Sequence, residues 1–119
     1  MGLILVTACS KDEVTDLRSS SEVIYEKAKS ALDNDNYRNA TRYLEVLTTS
    51  FPFSNQAKQA QLDLIYAHYR SSSFEEAIDE AKQFEKENPT HPRVDYALYM
   101  RGLSSFEGQH EWYHEIFDV

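Results

Sequence analysis

Tyr37–Pro52 reads YRNATRYLEVLTTSFP, and Phe74–Pro89 reads FEEAIDEAKQFEKENP. The two stretches are copies of one pattern: an aromatic residue, alanine three positions later, and proline twelve positions after that. The step between them is 37 residues, and other positions keep it. Ala28, Ile65 and Gly102 are one such set; Tyr25, Leu62 and Tyr99 are another; Leu32, Tyr69 and Phe106 are a third. Self-similarity at a fixed period is the signature of a repeat architecture, in which each unit buries its apolar face against its neighbour.

Each unit reads as two helices. The first, A, is expected over Glu22–Asp33, Asn55–Arg70 and Pro92–Glu107; the second, B, over Tyr37–Thr49 and Phe74–Glu87. Ser19 with Glu22 and Ser73 with Glu76 have the spacing of a capping box, where hydroxyl and carboxylate satisfy free backbone donors. Pro92 suits a first helical position, and Gly108 stands where a helix is expected to stop. Ala28, Ala40 and Ala77 allow close helix approach, while Tyr37, Leu44, Leu47, Phe74, Ile78 and Phe84 supply packing at helical spacing. The pattern resembles the tetratricopeptide repeat, whose usual period is 34 residues. The fold class expected is therefore all-α: a tetratricopeptide-like, right-handed α-solenoid of helical hairpins, cut off after about two and a half repeats.

The bulk composition agrees. There are 119 residues, with only three glycines and three prolines, which disfavours a turn-rich β fold. A formal charge of −8, with the cations scattered singly, sets a repulsive field against nucleic-acid phosphates, so no nucleic-acid partner is expected. One cysteine, Cys9, forbids an internal disulfide or a multi-cysteine metal site. It follows the apolar run Gly2–Ala8, GLILVTA, and precedes the polar SKDEVTD. The stretch looks like a bacterial lipoprotein box, which implies that Cys9 is the lipidated first residue of the mature chain. Ser10 after it favours, by the same resemblance, sorting to the outer membrane. The organisation read is a lipoprotein signal over 1–8, a polar linker over 9–20, repeats over 21–53 and 54–91, and a partial third over 92–119.

Two segments resemble one family closely: QLDLIYAHY (Gln61–Tyr69) and NPTHPRVDYALYMRGL (Asn88–Leu103). Together with Tyr37-Arg38-Asn39-Ala40 and the Cys9 box, they resemble the N-terminal part of the BamD (ComL) outer-membrane assembly lipoproteins. The resemblance implies a non-enzymatic, lipid-anchored subunit on the periplasmic face of the outer membrane. Its implied partners are a BamA-type barrel insertase, a BamC-type lipoprotein and unfolded barrel proteins; no cofactor is implied. The insertase contact would lie largely in C-terminal repeats beyond this sequence. A rival reading within the binding class is another periplasmic repeat lipoprotein, associated with peptidoglycan or DNA uptake.

In tetratricopeptide folds the groove is lined mainly by A helices. That places Tyr25, Leu62, Tyr66, Tyr69, Tyr96, Tyr99, Leu103 and Phe106 toward it, with Arg101 as a partner for a terminal carboxylate. An extended peptide bearing aromatic side chains suits such a surface. The competing reading is that aromatics at helical spacing are core.

One motif points elsewhere. His110–His114, HEWYH, matches the H-E-x-x-H pattern of zinc metalloproteases, making His110 and His114 candidate metal ligands and Glu111 a candidate base. The pattern needs a third ligand, and neither Glu115 nor Asp118 has a usual spacing. The favoured reading is no metal site: Gln109–Glu115 is a polar connection after the third A helix, with Trp112, Ile116 and Phe117 turned inward.

Overall fold

The computed structural model describes residues 20–116, apart from the side chains of Tyr113 and His114. Cys9, the lipoprotein box, the Ser19 cap and Phe117 lie outside the described residues. Those described form an all-helical, tetratricopeptide-like chain: α1 over residues 20–33, α2 Tyr37–Ser50, α3 Ala57–Arg70, α4 Phe74–Glu87 and α5 Val94–Ile116. The A helices are α1, α3 and α5; the B helices are α2 and α4.

The 37-residue step is written into the backbone. After α1 the amides of Asp35 and Asn36 donate to the carbonyls of Leu32 and Ala31; after α3 those of Ser72 and Ser73 donate to Tyr69 and His68. Each pair is a Schellman closure, which needs one left-handed residue. Asp35 (φ 55°) and Ser72 (φ 62°) take that conformation, neither being glycine. The B-to-A links repeat as well. Phe51 donates to Leu47, Ser54 to Phe51 and Ala57 to Ser54, just as Asn88 donates to Phe84, His91 to Asn88 and Val94 to His91.

Packing follows from the small residues. Ala28 and Ala31 of α1, Ala40, Leu44 and Leu47 of α2, and Ala60, Leu64 and Ala67 of α3 form one buried cluster. Leu62 and Ile65 of α3, Ala81 and Phe84 of α4, and Ala97 and Met100 of α5 form a second. Since α3 belongs to both, it is apolar around most of its circumference, unlike the one-sided α2 and α4.

Four expectations are corrected. Helix α5 does not stop at Gly108 but runs through it to Ile116, so HEWYH lies on a helix and not in a connection. Gly108 has no positive φ; a Cβ there would meet the Phe74 Cβ at 3.4 Å, so the glycine marks close passage of α5 over the start of α4. Trp112 (60% exposed) and Ile116 (55% exposed) face outward. Ser73 is the N-cap residue of α4, but its side chain makes no cap bond, leaving Glu75 and Glu76 in the first turn to complement the helix dipole. Pro92 stands in the turn before α5, which begins at Val94.

Candidate functional site

The A helices present a face on which side chains meet across repeats. At its centre is Asp63 of α3, the one carboxylate in the apolar run QLDLIYAHY. Its Oδ2 accepts from the Tyr25 hydroxyl of α1 at 3.1 Å, and its Oδ1 accepts from Gln59 Nε2 at 2.9 Å. Burial raises the Asp63 carboxyl above the ordinary range, against the lowering effect of these two bonds, Arg93 and Lys29. Tyr25 is pushed up to about 12, by burial first and then by the Asp63 charge, so its hydroxyl stays a donor at neutral pH. Tyr96 of α5 is raised too, by burial and then by Asp63. One carboxylate thus influences residues of all three A helices.

Cations lie over the tyrosine rings of this face. Lys29 Nζ is 5.8 Å from the Tyr25 centroid, and the Arg93 guanidinium carbon is 5.4 Å from that of Tyr96. Arg70, in the last turn of α3, lies 5.2 Å from Tyr37 and 5.9 Å from Tyr66. Its Nη1 donates to the Tyr66 hydroxyl at 3.3 Å. The two rings meet edge to face at 6.1 Å. The Tyr37 hydroxyl donates to Asp35 Oδ1 at 2.9 Å and is pushed up to about 12, by lost solvation first and then by that bond. Cation–π contacts of this kind hold a charge in place while leaving its N–H edge open.

The expected groove residues separate into groups. Tyr25, Tyr66 and Tyr96 share the face and are partly buried. Leu62 is core, 1% exposed. Tyr69 packs edge to face on Phe74 at 5.8 Å, and Leu103 packs against the second cluster. Tyr99 and Phe106 are well exposed and lie one seven-residue step apart on an outer stripe of α5. Arg101 turns to α4, where its Nη1 donates to Glu85 Oε2 at 3.0 Å. Asp63, Tyr37, Arg70 and Arg93 were missed as site residues. Asp63 carried a signal, being the lone charge in an apolar helix run. Arg70 carried half of one, with Tyr66 four residues before it on the same helix, but Tyr37 comes from the preceding repeat and could not be placed by spacing.

His110 stacks on Phe106 with ring centroids 6.1 Å apart. Among the described residues, no group of three or more His, Cys, Asp or Glu is placed to hold a metal ion, and no helix is long and apolar enough to cross a membrane.

Residues 18–116 match the family model described as outer membrane lipoprotein, YfiO. The chain belongs to this family. It is similar to the outer membrane protein assembly factor BamD of Vibrio cholerae, 34% identical over 121 residues, covering 100% of this chain and 49% of the relative. The protein of the same name from Neisseria gonorrhoeae is 37% identical over 112 residues, 89% of this chain and 42% of the relative. That of Pasteurella multocida is 32% identical over 114 residues, 96% and 44% respectively. The chain spans about half the length of these relatives. The family match covers every described residue, and with it the whole A-helix face.

Proposed function

We propose that this chain is a non-enzymatic scaffold and recruitment subunit of the machinery that assembles β-barrel proteins in the outer membrane. Its shared A-helix face receives extended, aromatic-bearing sorting peptides of unfolded barrel proteins. The observation that carries this reading is the cross-repeat cluster of Tyr25, Asp63, Tyr66 and Tyr96, with Lys29, Arg70 and Arg93 over tyrosine rings. Flat aromatic surface with hydroxyls and fixed cations meets both the side chains and the polar backbone of an extended peptide at low entropic cost. The names of the relatives, outer membrane protein assembly factor, support the same process. On this reading the partners are a BamA-type insertase, a BamC-type lipoprotein and barrel substrates, and lipid on Cys9 holds the chain on the periplasmic face.

Affinity capture from a Gram-negative envelope tests the assembly role. Recovery of the barrel insertase is expected; peptidoglycan without it would sink the reading. A photo-crosslinker at position 96 is expected to trap barrel substrates, and one at Glu85 is not. Radiolabelled palmitate incorporation lost in Cys9→Ser tests the anchor.

A further inference from the structure

Arg70 stands apart from the other arginine first suited to an anion. Arg101 has its carboxylate already, Glu85, at 3.0 Å. Arg70 is exposed and, among the described residues, makes no ion pair; of a guanidinium's five N–H donors, the structure commits Nη1 to the Tyr66 hydroxyl. The nearby acid, Asp35, accepts instead from Tyr37. Two rings, one from α2 and one from α3, hold the guanidinium between repeats, so its geometry is set before any ligand arrives.

Its position is as informative as its chemistry. Arg70 is the last residue of α3, at the margin of the A-helix face, seven residues after Asp63. Seven helical residues rise about 10 Å, which is the span of about three residues of extended peptide. Beyond Arg70 the chain turns through Ser71–Ser73 into α4, so α3 ends there. Two acids, Asp35 and Asp63, share this face with Lys29, Arg70 and Arg93, and each already accepts from a tyrosine hydroxyl. The B-helix side gathers Glu45, Asp79, Glu80 and Glu87, whose mutual repulsion, after burial, raises Glu80.

We infer that Tyr37, Tyr66 and Arg70 form a clamp for the C-terminal carboxylate of an extended peptide, whose last three residues run along α3 from Asp63. The planar fork of arginine matches a carboxylate through two parallel N–H···O bonds, which a lysine does not reproduce. This deepens the proposed peptide-binding reading and rests on it.

The test uses the hexapeptide Thr-Tyr-Thr-Tyr-Thr-Tyr, fluorescein-labelled at its N-terminus, as free acid and as C-terminal amide, with binding read by anisotropy. The free acid is expected to bind about 10-fold tighter than the amide, the scale of a hydrogen bond to a charged group. That difference is expected to vanish in Arg70→Gln, to shrink in Arg70→Lys and to persist in Arg101→Gln. Equal binding of acid and amide to the unaltered chain overturns the clamp while leaving the peptide face standing. Binding of neither overturns both. Full discrimination retained in Arg70→Gln or Arg70→Lys also overturns it, with melting curves checking that each variant is folded.

Discussion

Helices α3 and α5 begin in the same register, at Ala57 and Val94, and end differently. The first stops at Arg70 and turns back through left-handed Ser72 into α4; the second passes the equivalent positions and continues to Ile116. What differs is the partner helix. Phe74 and Ala77 open α4 where Tyr37 and Ala40 open α2, but one step later stand Glu111 and His114. An aromatic and a buried alanine let a B helix dock closely on its A helix, and docking offsets the strain of the left-handed turn. Without them nothing rewards leaving the helix, and a lone glycine is not enough to end it.

Giving the second repeat the residue of the third should break this contrast most severely. Ala77, fully buried, is replaced by His in Ala77→His. Overpacking plus a buried polar ring is expected to cost about 3 kcal/mol, seen as a lower denaturation midpoint and faster amide exchange along α4. Unchanged stability would refute close docking as the reason α3 ends.

The turn positions should respond with opposite signs. Ser72→Gly relieves a left-handed residue and is expected to stabilise by about 1 kcal/mol, whereas Gln109→Gly, its counterpart inside α5, should destabilise by about 1 kcal/mol. Urea titration of both variants decides it; matching signs would mean that α5 is broken at 109.

Gly108→Ala is a finer probe of the same point. Its new Cβ would rest 3.4 Å from the Phe74 Cβ, in ordinary contact. A helix interior then predicts a gain of about 0.5–1 kcal/mol, while a helix ending there on a left-handed glycine predicts a loss.

A smaller effect belongs to His68, whose counterpart, Ser105, is exposed. His68 lies beneath α2 and α4; burial lowers its pKa below the ordinary value of 6.5, against the raising influence of Glu45 and Glu76. The unfolded chain therefore binds a proton first, and stability falls as pH drops from 6.5 toward the folded value. Stability measured across that window should slope in the native chain and flatten in His68→Gln.

Much of the fold was legible beforehand because a repeat states each packing rule more than once. Ala40 and Ala77 mark both hairpins, and the B helices end within a residue of the expected limits. The site was legible only in part. Tyr25, Tyr66 and Tyr96 could be placed on one face by helical spacing, but the same spacing also admitted Leu62, which is core. A period assigns a residue to a helix face; which neighbour covers that face depends on the helices either side. Arg101 and Arg70 make the point, both at A-helix positions in apolar surroundings. One met Glu85 of α4, and the other met Tyr66 on its own helix and Tyr37 of the preceding repeat.

By itself the sequence determined the helical repeat, its 37-residue step and the family resemblance, because these rest on residue type and spacing along one chain. Only the tertiary structure decided that α5 runs on to Ile116, that Asp63 links α1 to α3, and that Arg101 pairs with Glu85 while Arg70 lies against two tyrosine rings. Each of those depends on distances between residues far apart in sequence, where packing overrides local signals such as a glycine or a capping serine.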